Sequence, residues 1–193
     1  MKDSQNTILI TGGSAGIGLA LAARFLRNGN EVIICGRRRE KLEKSKNQYP
    51  RLHIYQCDVS LEQDRRALFE KVTRDFPKLN VLINNAGIAS PLQLDLPAQW
   101  KETQKLIETN FQAPIHLTQL FAKHLSAQDN PVVMITTSGL AHAPRAQFPV
   151  YSATKAALHS ITLSMRHQFK SINIEVIEIC PPACRYGPWR TGT

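Results

Sequence analysis

A glycine-rich segment directly after the first apolar run constrains the fold of this chain more than any other feature. Residues 11–18 read TGGSAGIG and join a predicted strand to a predicted helix. Gly12, Gly16 and Gly18 allow a tight turn and a close approach of the backbone to a ligand. The free N–H groups and the positive dipole end at the start of a helix hold phosphate groups. Taken alone, the segment fits either a pyrophosphate-binding turn or a plain glycine-rich connection.

Short β-branched runs alternate with longer segments of helical period along the rest of the chain. The predicted strands are residues 7–11, 31–35, 53–57, 81–83, 132–136 and 174–179. The predicted helices are residues 16–27, 39–47, 61–75, 99–124 and 150–169. Ser60 and Gln63 predict a capping box at the third helix. The alternation predicts an α/β fold, a doubly wound parallel β-sheet with helices on both faces. Ligands of such folds bind beyond the carboxyl ends of the strands.

Composition excludes several other classes of protein. With 193 residues, of which 42% are hydrophobic, the chain has enough apolar surface for one globular domain and is neither disordered nor fibrous. No apolar run approaches the roughly 20 residues of a membrane span, and the start lacks a signal peptide's apolar region. We therefore expect a cytoplasmic protein with no membrane partner. The net charge is +9, but the positive residues are spread out and no nucleic-acid motif accompanies them, so we expect no nucleic-acid partner.

The histidines and cysteines give no sign of a metal site. The four cysteines show no paired framework, and Cys180 with Cys184 has no further ligands in sequence. The histidines at 116, 124, 142, 159 and 167 have no ligand spacing with a carboxylate or a thiolate. We therefore expect no metal site and assign these histidines to the core or the surface.

Tyr151 and Lys155 form the candidate acid–base pair. They stand at i and i+4, on one face of the last predicted helix. An ammonium about 4 Å from a phenol favours the phenolate by at most ~4 kcal/mol at an effective dielectric constant of ~20. Read alone, such a pair is usually a surface pair.

Ser138 follows the fifth strand, where its hydroxyl can hold a substrate oxygen, and neighbouring Thr137 is the alternative for that position.

Asn110 precedes Pro114 by four residues within a predicted helix. Proline has no N–H, and its ring clashes with the carbonyl four residues earlier. We therefore expect a kink that leaves the Asn110 carbonyl free to hold a water, with a simple proline kink as the alternative.

The end of the second strand favours NADP(H) over NAD(H). An acidic residue there would bond the ribose hydroxyls of NAD and repel a 2′-phosphate. The sequence reads Cys35-Gly36-Arg37, so glycine fills that position and a guanidinium suited to a phosphate follows. A solvated charge run is the alternative for the cluster of Arg37, Arg38 and Arg39.

Together these motifs resemble the short-chain dehydrogenase/reductase family, which has a TGxxxGxG turn. The likeness continues with Asp58-Val59, with the NNAG segment 84–87, with Asn110 and Ser138, and with YSATK at 151–155. It spans residues 7–183, and within the family the DltE-type oxidoreductases are the most similar. The resemblance implies a Rossmann-type fold and an NADP(H)-dependent oxidoreductase. Such an enzyme transfers a hydride between nicotinamide and a carbonyl or secondary alcohol, with a tyrosine as the acid–base.

The resemblance also assigns roles to individual residues. The catalytic residues it implies are Asn110, Ser138, Tyr151 and Lys155. The cofactor-binding residues it implies are Gly12, Ser14, Gly16, Ile17, Gly18, Arg37, Asp58, Val59, Asn85, Ala86, Gly87, Tyr151, Lys155 and Pro181. In the family pattern the Asp58 carboxylate bonds the adenine amino group, and the turn at Pro181 contacts the nicotinamide amide.

Residues 184–193 depart from the family pattern, which continues with substrate-binding elements that we expect this chain to lack. We therefore predict a dinucleotide-binding domain over residues 1–183 followed by an aberrant tail. Removing one base from a back-translation of the tail restores a Val-Asp-Thr continuation, so a frameshift is our hypothesis and a divergent short tail is the alternative. The resemblance implies a homo-oligomer for a full-length form, an expectation that the missing elements weaken for this chain. A truncated, catalytically impaired dinucleotide-binding protein is the second reading of its function.

Overall fold

Six parallel strands form one sheet in the computed structural model, which describes residues 3–182. Their order across the sheet is β3-β2-β1-β4-β5-β6. The strands are β1 (Thr7–Thr11), β2 (Glu31–Gly36), β3 (His53–Gln56), β4 (Leu79–Asn84), β5 (Val132–Thr136) and β6 (Glu175–Ile179). Every residue of β1, β4 and β5 is buried, because central parallel strands are covered on both faces.

Helices cover the two faces of this sheet. They are α1 (Gly16–Arg27), α2 (Arg39–Gln48), α3 (Glu62–Asp75), α4 (Trp100–Ile107), α5 (Ala113–Ser126) and α6 (Pro149–Gln168). Leu9 packs with residues of α3, α5 and α6, whereas its neighbours Ile8 and Ile10 pack with residues of α1 and α2. Successive strand residues therefore pack into two hydrophobic cores on opposite faces of the sheet. The predicted doubly wound α/β fold is confirmed.

Two local predictions need correction. The predicted helix at 99–124 is interrupted by a π-helical segment, Glu108–Gln112, that directly precedes α5 and Pro114. The widened turn lies at the position where we expected the proline to distort the helix. The capping box at α3 does not form, because Asp58 Oδ1 accepts from the Ser60 backbone N–H at 3.0 Å and from its hydroxyl at 2.7 Å, and Leu61 occupies the N-cap without a side-chain bond.

Within residues 3–182 no helix is long and apolar enough to cross a membrane. The predicted tail and the frameshift hypothesis concern residues 184–193, which lie outside the described residues.

Candidate active site

A cleft of about 840 Å³ opens at the carboxyl ends of β1 and β4. The connections from β1 and β4 lead to opposite sides of the sheet at this point, which is where ligands bind in open α/β sheets. The volume lies within the range of pockets that bind small molecules and cofactors. The cleft is lined by every predicted site residue except Asn110.

The glycine turn between β1 and α1 is built from close backbone contacts. Gly12 has φ +66°, and a Cβ added to it would lie 2.9 Å from Ala86 Cα. A Cβ on Gly18 would lie 2.5 Å from the Gly12 carbonyl oxygen. At Gly16, with φ +54°, an added Cβ would meet nothing within 4 Å. The turn therefore packs tightly against its neighbours at Gly12 and Gly18 and leaves an open cradle at Gly16, which fits a phosphate group.

Thr11 and Asn85 brace this turn against the end of β4. Thr11 Oγ1 accepts hydrogen bonds from the N–H groups of Asn85 and Ala86, each at 3.0 Å. The Asn85 side-chain amide donates to the Thr11 carbonyl oxygen at 2.9 Å. Asn85 thus holds the turn through its amide, and Thr11 is a supporting residue to which the sequence reading assigned no role.

Two arginines line the far end of the cleft, beyond β2. Arg37 Nη1 lies 4.0 Å from Asp58 Oδ2, and the Arg37 side chain is 43% exposed. Arg38 also lines the cleft, whereas Arg39 forms an ion pair with Glu43 along the exposed start of α2. A Cβ on Gly36 would approach Ser14 Oγ to 3.3 Å, which shows how near the end of β2 lies to the glycine turn.

A buried arginine fixes the loop that carries Asp58 and Val59. Arg65 is 6% exposed, and its Nη1 donates to the carbonyl oxygens of Val59 at 2.6 Å and Ser60 at 3.0 Å. Its Nε donates to His116 Nδ1 at 2.9 Å. Burial and the charge of Arg65 hold the pKa of His116 below its ordinary value, which keeps the imidazole neutral and able to accept this bond.

Lys155 is the only lysine lining the cleft among residues 3–182, and it is almost fully buried, with 3% exposure. Its Nζ donates to the Thr136 carbonyl oxygen at 2.7 Å and lies 5.8 Å from the centre of the Tyr151 ring. Burial lowers the pKa of Lys155 to about 8, because an ammonium loses solvation there. Tyr151 is half-buried one helical turn earlier.

Ser138 and Thr137 use their hydroxyls differently. Ser138 Oγ accepts from the N–H of Leu140 at 3.2 Å, so its own proton is left to donate. Thr137 Oγ1 donates to Glu178 Oε1 at 2.7 Å, toward β6. Of the two alternatives from the sequence, Ser138 has the hydroxyl that retains a donor for a ligand.

Asn110 lies fully buried in the π-helical segment, outside the cleft lining. Its side chain accepts from the Ile88 N–H and donates to the Ile88 carbonyl oxygen, both at 2.8 Å. Asn110 Oδ1 and Lys155 Nζ each lie 3.5 Å from the position that a Cβ of Gly87 would take. Asn110 and Lys155 therefore both approach Gly87 closely.

The chain is similar to known proteins along most of its length. The family described as short chain dehydrogenase matches residues 6–189. The chain is 51% identical over 188 residues to the uncharacterized oxidoreductase DltE of Bacillus subtilis, covering 94% of this chain and 73% of that protein. It is 30% identical over 178 residues to the NADP-dependent 3-hydroxy acid dehydrogenase YdfG of Salmonella typhi, covering 90% and 71%. A crystal structure of a short-chain dehydrogenase from Streptomyces avermitilis matches with a TM-score of 0.86 and 27% identity, covering 94% and 67%.

Proposed function

The chain belongs to the short-chain dehydrogenase family, as its motifs predicted, and on that premise we propose that it is an NADP(H)-dependent oxidoreductase acting on a small carbonyl compound or secondary alcohol. The 51% identity to DltE also confirms the predicted similarity to DltE-type oxidoreductases. One observation carries the proposal: Tyr151, Lys155 and Ser138 line the same cleft as the glycine turn. A proton donor and a phosphate cradle in one cleft fit hydride transfer coupled to proton transfer.

In this proposal Tyr151 gives a proton to the substrate oxygen during reduction and takes it back during oxidation. Lys155 supports the phenolate by its charge, since its Nζ lies 5.8 Å from the ring centre. With a pKa of about 8, Lys155 is mainly protonated at pH 7. Ser138 donates its remaining proton to the substrate oxygen and thereby orients it. When bound, a nicotinamide supplies or accepts the hydride.

We assign Asn110 to the proton path behind Lys155. Asn110 Oδ1 and Lys155 Nζ approach the same glycine, since each lies 3.5 Å from the Cβ position of Gly87, and a water held by the Asn110 carbonyl would link the two residues. The two bonds to Ile88 hold the Asn110 side chain in place beside Gly87. Such a water would pass protons from Lys155 toward solvent.

The cofactor preference rests on the charges around the end of β2. Gly36 offers no carboxylate to a ribose hydroxyl, and Arg37 and Arg38 line the cleft there. Both guanidinium groups suit a 2′-phosphate. The similar protein YdfG is named as NADP-dependent, which supports the same preference for this chain. The Gly16 cradle would hold the pyrophosphate, Val59 would flank the adenine ring, and the turn at Pro181 would contact the nicotinamide amide.

The proposal is tested with a panel of small ketones, aldehydes and hydroxy acids. NADPH oxidation or NADP reduction is followed by absorbance for the wild-type chain and for Tyr151→Phe, which keeps the ring and removes the hydroxyl. We expect turnover that falls by about 10²–10⁴ in the variant. NADPH affinity, measured by fluorescence titration, should fall far less than turnover, because Tyr151 is only one of many residues predicted to hold the nucleotide.

Two outcomes would contradict the proposal in different ways. NADPH binding without turnover of any panel member would support the second reading, a catalytically impaired dinucleotide-binding protein. Failure of both NADPH and NADH to bind would overturn the cofactor assignment itself.

A further inference from the structure

Three potential metal ligands from separate parts of the chain meet beside the cleft. His142 follows the turn after Ser138, His159 is on α6, and Glu178 is on β6. One ligand atom from each lies within 4.8 Å of the other two. Positions 142, 159 and 178 are too far apart to show a ligand pattern in sequence. The structure therefore provides the carboxylate partner that spacing alone did not predict for these histidines.

The distances between these groups are close to those of a tetrahedral metal site. His159 Nδ1 lies 2.9 Å from Glu178 Oε2, and the rings of His142 and His159 have centres 4.6 Å apart. Two ligand atoms on a tetrahedral zinc ion lie about 3.3 Å apart, since each is about 2.0–2.1 Å from the metal. His159 and Glu178 thus stand at ligand spacing already. The exposed His142 ring needs to move by only about 1.5 Å to complete the set, given that 4.8 Å limit.

The carboxylate is held for this role by a second residue. Thr137 Oγ1 donates to Glu178 Oε1 at 2.7 Å, and His159 Nδ1 lies 3.1 Å from Oε1 and 2.9 Å from Oε2. Metal-binding carboxylates are commonly oriented by such a hydrogen bond. Two imidazoles and one carboxylate suit zinc and the other late first-row divalent ions.

We propose that His142, His159 and Glu178 bind a divalent transition-metal ion, with zinc as the ion to test. Binding replaces the hydrogen bond between His159 Nδ1 and Glu178, because the neutral imidazole gives its Nδ1 lone pair to the ion and carries its one proton on Nε2. A solvent molecule fills the fourth position of a tetrahedral site. His159 lies one helical turn beyond Lys155, so the ion clamps the loop after Ser138 to α6 and β6. The bound ion stabilises the positions of this loop, α6 and β6 beside the cleft, and it takes no part in the hydride transfer.

The test measures zinc binding to the full chain after removal of any affinity tag. Cys180 is exposed and competes as a ligand, so the background carries Cys180→Ser and Cys184→Ser. Isothermal titration with zinc chloride in a buffer that does not chelate zinc should give one ion per chain. Zinc should also raise the melting temperature, and a chelator should reverse the increase.

Substitutions identify the ligands. His142→Ala and His159→Gln should each weaken zinc binding by at least tenfold, and Thr137→Val by about 10- to 100-fold. His167→Ala, on the same helix and outside the cluster, should bind zinc as the parent chain does. His142 is exposed, so its variant leaves the core intact, and circular dichroism checks the fold of each protein.

The proposal is overturned if the cysteine-free chain shows no saturable zinc binding. It is also overturned if His142→Ala and His159→Gln bind zinc as tightly as His167→Ala. Loss of binding in His167→Ala as well would place the ion elsewhere and would count against the site.

Discussion

Replacing Lys155 by methionine should change how the stability of the protein depends on pH. Burial lowers the pKa of this lysine to about 8, against 10.5 for an ordinary lysine. The folded chain therefore binds fewer protons than the unfolded chain between these values, and stability rises with pH in that window. Below pH 8 the full penalty for burying the ammonium is present. From the two pKa values it is about 3.3 kcal/mol at pH 7 and about 1.4 kcal/mol at pH 9.5.

The wild-type chain should thus gain about 2 kcal/mol relative to Lys155→Met between pH 7 and pH 9.5. Urea unfolding followed by circular dichroism measures the free energy of unfolding of both proteins at each pH. The variant also loses the hydrogen bond to the Thr136 carbonyl and changes its packing, but these losses alter its free energy of unfolding equally at both pH values. The change with pH in the difference between the two proteins therefore reports only the titration of Lys155. Both chains carry Tyr151→Phe, which removes the neighbouring phenol. A relative change below about 0.5 kcal/mol would refute the lowered pKa.

Three further substitutions test the cleft. Arg37→Ala should raise the Kd of NADPH about tenfold, or about 1.4 kcal/mol, and leave that of NADH unchanged in fluorescence titrations; equal losses would contradict a role at the 2′-phosphate. Ser138→Ala should lower kcat by about 10²–10³ while NADPH affinity stays constant, whereas Thr137→Ala should largely retain kcat in the same assay. Gly18→Ala brings a Cβ to 2.5 Å from the Gly12 carbonyl and should destabilise the fold by about 1–3 kcal/mol, measured by urea unfolding.

Structural features that depend on only a few adjacent residues could be predicted from the sequence. The bounds of β1 and β5 agree with the predicted residues 7–11 and 132–136, because both are unbroken apolar runs in the centre of a parallel sheet. The glycine turn has the backbone that its sequence requires, with positive φ at Gly12 and Gly16. The spacing of Tyr151 and Lys155 put them one helical turn apart, and α6 contains both.

Predictions failed where two local interactions compete for one group. Ser60 has the sequence of a capping residue, but Asp58 Oδ1 accepts from its backbone N–H at 3.0 Å, and that is the group to which the Gln63 side chain would bind in a capping box. Pro114 removes a helical hydrogen bond in either a kink or a π-helical turn. The two bonds between Asn110 and Ile88 join that turn to the loop after β4, and this distant loop was not visible as a partner in sequence.

The contacts that control the chemistry of the site are the least visible in sequence, because many of them use backbone carbonyl groups. Every residue has such a carbonyl, so residue identity does not mark Thr136 as the partner of Lys155, or Val59 as the partner of Arg65. The acidity of Lys155 likewise depends on burial between α6 and the sheet and on no neighbouring acidic residue. A sequence motif therefore specifies which groups can react, whereas the fold sets their proton affinities, and the pH experiment on Lys155 measures that second contribution directly.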